Sequence, residues 1–404
     1  MKKLNALPLL CALLLSASTW AEGERTDMLF NFDWKFKLGE TPDAESVTLD
    51  DSQWRSLDLP HDFQIEMPWN EKASRGRGFK DMATGWYRKT FQADPAWRGK
   101  RVVLDFEGIM LHGDAYLNGK KIGGTDYGYL GFEADITKLL KYDTPNVLAV
   151  HCSTGENGNS RWYTGGGLFR DIHLILKDSV SIARHGIYVK ASPTPSQEGE
   201  ALAKQATVSV QVEVEGIKNK KYDLVIEARI IDPQGKEVGR TNIDAPKDNK
   251  QPTVEVQLPV VKIDNPQLWW CEQPNLYTAE VSLVLDGHTI DKLSERFGIR
   301  TVEFSKEFGF KLNGKKIFLQ GAADHHDLGA LGAAAYETAI SRMMDRLRSS
   351  ALTTFALATT PTARPSSAWP TRKASSSSTS STTNGATRWL GPDDALGRRC
   401  GGRT

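Results

Sequence analysis

Short runs in which apolar and polar residues alternate occupy most of the chain from Leu29 to Arg296, and they limit the fold more than any other feature. Successive side chains of a β-strand point to opposite faces, so each run predicts a strand with one buried face. Examples are "GWYRKTFQ", "NVLAVHC" and "ATVSVQVEVEG". The Asn118-Gly119 pair within "AYLNGKKIG" predicts a tight type I′ hairpin turn. The fold class is therefore predicted to be mostly β.

These runs form two groups, which predict two β-sandwich domains. Residues 22–178 carry many short strands separated by Gly, Asn, Asp and Pro, a pattern typical of a jelly-roll sandwich. Residues 179–297 alternate strictly and have the strand spacing of an immunoglobulin-like sandwich. They lack the Cys-Trp-Cys signature of antibody domains, so this second assignment rests on the pattern alone.

The pattern changes in residues 298–350, where short strands lead through a loop rich in His and Asp to an amphipathic helix. The apolar residues of that helix recur at the spacing i, i+3, i+4 and i+7: Ile340, Met343, Met344 and Leu347. A strand, a loop and a helix make the first βα unit of an α/β domain. In a (β/α)₈ barrel, functional residues lie on such strand-to-helix loops.

The N-terminus has the features of a secretory signal peptide over residues 1–21. Lys2 and Lys3 precede an apolar run from Leu7 to Leu15, and small residues follow as far as Ala21. The apolar run is too short to serve as a membrane-spanning anchor. We therefore expect a periplasmic or secreted protein without a membrane anchor.

The net charge and the cysteine spacing indicate neither a nucleic-acid partner nor a structural metal site. The formal net charge is +1, which gives no indication of a nucleic-acid partner. The spacing of Cys152 and Cys271 matches no metal site, so no structural metal is predicted from cysteine. Eleven Trp residues are many, and indole rings both fill β-sandwich cores and stack on the apolar faces of sugars.

Six stretches, in this order, resemble glycoside hydrolase family 2, and most closely its bacterial β-galactosidase members. They are "WRSLDLPHDF", "GWYRKTF", "NSRWYTGGGLFRDIHL", "PQLWWCEQPNLYTAEV", "FGIRTVEF" and "GFKLNGKKIFLQGAADHHDLGALGAA". The resemblance implies a sugar-binding jelly roll, an immunoglobulin-like sandwich and a (β/α)₈ barrel. It further implies retaining hydrolysis of a terminal β-galactoside in an oligosaccharide or glycoconjugate, and it is compatible with oligomerisation of full-length relatives.

Substrate-binding residues are implied on two loops. His325 stands where the family has a histidine against the substrate, at the end of the first barrel strand, and His326 is its neighbour. An imidazole can donate a hydrogen bond to a sugar hydroxyl. The family also uses the jelly-roll loop that here carries Asn159, Ser160 and Arg161, which can bond hydroxyls, and Trp162, which can stack. A pair of loop histidines that bond backbone groups is the alternative reading.

The resemblance places both catalytic glutamates on later barrel strands, and no Glu follows Glu337 in this sequence. No catalytic residue is therefore assigned, and the chain is predicted to be inactive. The resemblance admits a magnesium or sodium ion, without residues here that would hold it. Two alternatives remain open: a β-glucuronidase or other β-glycosidase of the family, and a non-catalytic carbohydrate-binding β-sandwich protein.

Residues 351–404 differ in composition from everything before them. They contain no Ile, Val, Met, Tyr, His, Glu or Gln, and Ser, Thr, Ala, Arg and Pro dominate. So little apolar surface predicts a disordered tail. In a shifted reading frame, Thr354 to Pro361 permits Ile-Arg-Thr-Ser-His-Asn-Pro, and Lys373 to Gly385 permits an apolar strand followed by an acidic, aromatic loop. Both resemble what the family has next, so the tail is interpreted as frameshifted after Ser350.

Sequencing of the genomic DNA through the Ser350 codon tests this interpretation. We expect that restoring one deleted base opens a long frame which encodes further barrel strands, including two glutamates on separate strands. The unaltered frame serves as the control. Stop codons soon after Ser350 in the restored frame would show that the tail belongs to the gene as it stands.

Overall fold

The computed structural model describes residues 25–155, 160–194, 203–217, 223–247, 249–271, 273–319, 321–349 and 354–357. The predicted fold class is confirmed over these residues, since strands predominate and build two successive sandwiches. The proposed signal peptide, residues 1–21, lies outside the described part of the chain. None of the helices in the described part has the length and apolar character needed to span a bilayer.

The first sandwich packs two antiparallel sheets face to face. Its strands are β1 (Thr26–Leu29), β2 (Trp34–Leu38), β3 (Arg55–Leu57), β4 (Thr84–Phe91), β5 (Arg101–Phe106), β6 (His112–Leu117), β7 (Lys120–Thr125), β8 (Phe132–Asp135), β9 (Asn146–Ser153) and β10 (Ile172–Lys177). One sheet has the order β1-β10-β5-β8 and the other the order β3-β2-β4-β9-β6-β7. A one-turn helix, α1 (Phe63–Glu66), follows β3.

Large aromatic and branched side chains fill the space between these two sheets. Trp34, Tyr87, Phe106 and Leu148 are completely or almost completely buried there. The predicted hairpin is present between β6 and β7, where Asn118 and Gly119 adopt φ angles of 52° and 80°. Both values lie in the left-handed region, which Asn and Gly tolerate better than other residues. The turn fixes the register of the β6–β7 pair.

The second sandwich is built from eight strands. They are β11 (Ser181–Pro193), β12 (Gln205–Glu215), β13 (Leu224–Ile231), β14 (Glu237–Asp244), β15 (Thr253–Gln257), β16 (Val261–Asp264), β17 (Leu276–Leu285) and β18 (His288–Gly298). In one sheet β12 pairs with β11, β15 and β16, and the other has the order β14-β13-β17-β18. Every second residue of β12 is buried, so the alternation in its sequence is the alternation between core and surface.

Ion pairs join the two sandwiches. Asp291 is fully buried and accepts two hydrogen bonds from the guanidinium of Arg25, at 3.0 and 2.8 Å, and one from the Ile182 amide at 2.7 Å. Glu215 of the second sandwich lies 2.6 Å from Lys177 and 3.2 Å from Arg101 of the first. Charges that are buried and paired hold their partners in one geometry, so these contacts fix the orientation of the two domains.

The last described unit combines a small antiparallel sheet with the first part of an α/β arrangement. Its elements are β19 (Val302–Ser305), β20 (Gly309–Leu312), β21 (Lys315–Lys316), β22 (Gly321–Asp324), α2 (Glu337–Ser349) and β23 (Thr354–Leu357). Strands β19, β20 and β21 form one sheet, and β22 pairs with β23 in parallel. The described residues contain this single parallel pair and no closed barrel.

Strand β23 corrects one expectation about the tail. Residues 351–404 are predicted to be disordered, but Thr354–Leu357 form a strand in register with Gly321–Asp324. Phe355, Ala356 and Leu357 are apolar although the tail as a whole is poor in large apolar residues, and the open edge of β22 offers backbone groups with which an extended segment can pair. The remaining residues of the tail lie outside the described part of the chain.

The Arg25–Asp291 pair predicts a measurable loss of stability on substitution. Asp291→Asn leaves the buried Arg25 guanidinium without its counter-charge, so we expect the free energy of unfolding to fall by about 3 kcal/mol. Denaturant unfolding followed by fluorescence measures this change. Asp286→Asn, on an exposed turn with φ 49°, is the matched control, and we expect it to change stability by less than about 0.5 kcal/mol. Equal effects of the two variants would contradict the buried pair.

Candidate functional site

The carboxylate of Asp62 joins three segments that are distant in sequence. It is almost completely buried, and its Oδ1 accepts hydrogen bonds from the amides of Gln64 and Gly166, both at 2.9 Å. Its Oδ2 accepts from the Tyr163 hydroxyl at 2.6 Å and from the Ala333 amide at 2.8 Å. Buried carboxylates are stable only when their lone pairs are satisfied in this way. Asp62 therefore fixes the 160–167 loop of the first sandwich against the loop that follows β22.

Two glycines allow the main chain to approach this carboxylate. A Cβ atom on Gly165 would lie 2.7 Å from Asp62 Oδ2 and 2.5 Å from the Ala333 side chain, and a Cβ on Gly332 would also collide with Asp62. Their φ angles of 73° and 60° lie in the left-handed region as well. Gly165 and Gly332 consequently serve close packing of the main chain around Asp62.

The 160–167 loop presents Trp162 at the surface beside an aromatic cluster. The Trp162 indole is half-buried, and its Nε1 donates to the Tyr129 hydroxyl at 3.1 Å. The Ser160 hydroxyl donates to the Trp162 carbonyl at 2.8 Å, which shapes the loop just before the indole. Both bonds restrict the orientation of the ring, so one indole face is held ready for a flat apolar ligand surface.

His325 follows directly after β22 and meets this loop. The ring centroids of His325 and Trp162 are 5.5 Å apart with an interplanar angle of 47°. His325 is half-buried, so its ring can be reached from solvent beside the indole. The structure thus brings together an imidazole from the strand-to-helix loop and an indole from the jelly roll, which the sequence places 163 residues apart.

His326 points inward and braces the same junction. Its Nε2 donates to the carbonyl of Thr164 at 3.1 Å, and its ring packs edge-on against Tyr129 and Phe169. Burial lowers the pKa of His326, so its imidazole is neutral with the proton on Nε2. Its Nδ1 is buried and has no hydrogen-bond partner among the described residues. These contacts are those of a supporting residue. For His326 they agree with the alternative in which the loop histidines bond backbone groups.

The remaining sequence candidates have different positions. Arg161 is exposed, and its backbone packs against Gly76 of the neighbouring 67–82 loop. Asn159 lies outside the described residues. Ser160 is bonded to backbone, as described above, so its hydroxyl serves the loop. Of the six candidates, the structure joins His325 and Trp162 at one accessible surface.

Sequence reasoning missed several residues that shape the site. Tyr129 has no motif around it that would single it out, yet it contacts both Trp162 and His326. Burial raises the pKa of Tyr163, with a contribution from Asp62, so its hydroxyl remains a donor to that carboxylate. Asp62 itself stands in the "WRSLDLPHDF" stretch of the family resemblance, but nothing in that stretch reveals its partners.

A buried acidic cluster lies behind the aromatic residues. Burial, with a contribution from the negative charge of Asp171, raises the pKa of Glu107 to about 7. The Nη1 of Arg170 donates to the backbone carbonyls of Glu107 and Tyr129 at 3.3 and 3.4 Å. Glu107 is therefore partly protonated at neutral pH, and its side chain is buried.

No group of three or more His, Cys, Asp or Glu side chains comes together at metal-binding distance anywhere in the described part of the chain. No described residues are therefore assigned to the magnesium or sodium ion that the resemblance admits. Hydrogen bonding and stacking are the chemistry that the arrangement of His325 and Trp162 offers.

Comparison with known proteins identifies both sandwiches. The family description "Glycosyl hydrolase 2 galactose-binding domain-like" matches residues 58–161, and "Glycosyl hydrolases family 2" matches residues 188–300. The chain is 34% identical over 335 residues to a protein of Bacteroides ovatus named "Beta-galactosidase BoGH2A", covering 82% of this chain and 38% of that protein. It is 29% identical to a "Beta-glucuronidase" of Bacteroides fragilis, covering 80% of this chain and 44% of the relative.

Solved structures agree with this comparison. A family 2 member from Bacteroides cellulosilyticus superposes with a TM-score of 0.75 at 33% identity, over 83% of this chain and 45% of that one. The chain thus spans less than half the length of each of these relatives.

The Asp62 junction predicts a coupled loss of order on both of its sides. Asp62→Ala leaves four buried donors without an acceptor, so we expect a loss of about 3 kcal/mol in the free energy of unfolding. Hydrogen exchange should become faster at the Gly166 and Ala333 amides together. Asp143→Asn, at an almost fully exposed carboxylate, is the control and should change neither quantity. Unchanged exchange at Ala333 would contradict a link between the two loops.

Proposed function

This chain belongs to glycosyl hydrolase family 2, and on that premise we propose that it carries the sugar-binding part of a retaining β-glycosidase that acts on terminal β-galactosides. The observation that supports this is the meeting of Trp162 with His325 at one accessible surface. The indole offers a flat apolar face to a pyranose ring, and the imidazole offers a hydrogen bond to one of its hydroxyls. Galactose is favoured by the six stretches that resemble bacterial β-galactosidases.

Two carboxyl groups are needed in addition for turnover. A retaining glycosidase uses one as acid/base and one as nucleophile, about 5 Å apart on either side of the scissile bond. Asp324 ends β22 and Asp327 lies three residues later in the same chain segment, which is not the arrangement of two carboxyl groups on separate barrel strands, and no Glu follows Glu337. We therefore propose that the chain as given binds a sugar without hydrolysing it.

A second candidate activity is hydrolysis of β-glucuronides. It is favoured by the similarity to the Bacteroides fragilis protein named "Beta-glucuronidase", which extends over a comparable part of this chain. A glucuronidase has to pair the sugar carboxylate with a cation. Arg161 is exposed and precedes Trp162 in sequence, so it is the cation that we propose for that pair. We also propose that the protein is secreted and that its reading frame is shifted after Ser350. The signal-like pattern of residues 1–21 supports the first proposal, and the composition of residues 351–404 supports the second.

Turnover assays separate these proposals. We expect the purified chain to hydrolyse neither 4-nitrophenyl β-galactoside nor the β-glucuronide, because the two carboxyl groups are missing. Insertion of one base after the Ser350 codon should give a longer protein that prefers the galactoside. In that protein, His325→Ala should lower kcat/KM by about a hundredfold, as expected for loss of one transition-state hydrogen bond.

Three outcomes would contradict the proposal in different ways. Hydrolysis by the chain as given would contradict its inactivity. Preference of the longer protein for the glucuronide would replace the β-galactoside by a β-glucuronide as the proposed substrate. Full activity of His325→Ala would remove His325 from the site, and His326→Asn serves as the comparison because its contacts are internal.

A further inference from the structure

Trp69 is a large aromatic side chain that the site described above does not use. It is 71% exposed and is the one Trp among the exposed large apolar side chains of the described residues. It lies in the 67–82 loop, between α1 and β4. An exposed indole that served only as surface would need no special support from its surroundings.

The surroundings of Trp69 are, however, well ordered. The ammonium group of Lys80 lies 4.2 Å from the centroid of the indole ring, and Lys80 is only 2% exposed. That ammonium also donates to the backbone carbonyls of Ile65, at 3.0 Å, and Met67. One face of the indole is thus covered by a fixed cation, while the exposed area leaves the rest of the ring to solvent.

The base of the loop is closed by Asn70. Its amide donates to the carbonyl of Phe79 at 2.9 Å, and its side chain donates to both carboxylate oxygens of Asp81, each at 2.9 Å. These bonds tie the two ends of the loop to each other, with Trp69 next to Asn70 at one end and Phe79 at the other. Aromatic side chains held in this way lose little conformational freedom when a ligand binds.

Phe79 adds a second exposed ring at the cost of backbone strain. Its φ angle is 58°, in the left-handed region that bulky residues rarely adopt, and its side chain is 37% exposed. The Phe79 amide donates to the carbonyl of Ser74 at 3.0 Å, which holds this conformation. A glycine would adopt the same backbone conformation without strain, so a phenylalanine at this position goes against the preference of the local backbone. Strain of this kind concentrates at functional sites.

The loop packs against the proposed sugar site. A Cβ atom on Gly76 would lie 3.3 Å from the carbonyl oxygen of Arg161, and one on Gly78 would lie 3.8 Å from the ring of Tyr163. Arg161 and Tyr163 flank Trp162 in sequence. Trp69 and Phe79 therefore belong to a loop that adjoins the Trp162 surface. The exposed charges next to Trp69 are mixed, with Glu71 beside Lys72, so they do not favour a polyanion.

We propose that Trp69, together with Phe79, forms a second stacking platform that holds an uncharged pyranose unit of the substrate beyond the unit held at Trp162. This platform would select oligosaccharides over monosaccharides. The inference rests on the proposed function, since it assumes that Trp162 and His325 receive the terminal sugar.

Calorimetry on the full chain tests the platform with two probes, methyl β-galactopyranoside and a β-1,4-linked galactotetraose. We expect wild type to bind the tetrasaccharide more tightly than the monosaccharide. Trp69→Ala should weaken tetrasaccharide binding about tenfold, the scale of one aromatic stacking contact, and leave monosaccharide binding unchanged. Trp69→Phe should retain most of the affinity. Tyr188→Ala, at an exposed aromatic position on β11, is the control and should change neither probe.

Phe79→Gly separates binding from folding. Glycine accepts the left-handed backbone, so this variant should be at least as stable as wild type and still bind the tetrasaccharide more weakly. Trp162→Ala should weaken both probes. If Trp162→Ala weakens both and Trp69→Ala changes neither, the platform is wrong and the proposed function stands. If wild type binds neither probe, the proposed function fails together with the platform. A change of oligomeric state in Trp69→Ala with unchanged sugar affinity would assign the indole to self-association and overturn the platform.

Discussion

The buried carboxylate of Asp62 is the constraint on which the rest of the site depends. It holds a negative charge out of water by accepting four hydrogen bonds, and three of the donors come from outside its own turn. Because Tyr163 and Gly166 belong to one domain and Ala333 to another, the position of Trp162 relative to His325 follows from this one group. Glycines at 165 and 332 are required for the same reason, since larger residues would displace the chain from the carboxylate.

The two sandwiches act as a rigid support for this junction. Asp291 and Glu215 pair across the domain boundary with cations of the first sandwich. Rigid elements place functional loops more accurately than flexible ones, which matters when a ligand is held by side chains from separate domains. The accessible surface then combines stacking from the jelly roll with hydrogen bonding from the strand-to-helix loop.

Local chemistry explains which parts of this arrangement could be predicted from the sequence. The Asn118-Gly119 turn and the alternation in β12 are properties of a few neighbouring residues, and both are confirmed. The position of His325 directly after β22 was predicted from the family resemblance of the "GFKLNGKKIFLQGAADHHDLGALGAA" stretch. The partners of Asp62 lie up to 271 residues away, and no local pattern encodes such a distance. The same limit applies to Tyr129 and to the strained backbone of Phe79, which depend on the folded surroundings.

The parallel pairing of β22 with β23 shows how little a strand edge requires of its neighbour. Thr354–Leu357 is a four-residue segment, and it takes the next parallel place beside β22 after the chain has passed through α2. Apart from proline, every residue offers the same main-chain donor and acceptor, so the edge recognises an extended backbone more than a particular sequence. Among the described residues this sheet has two strands, so its outer edges are open templates, and at high concentration the strand that they recruit can come from another molecule.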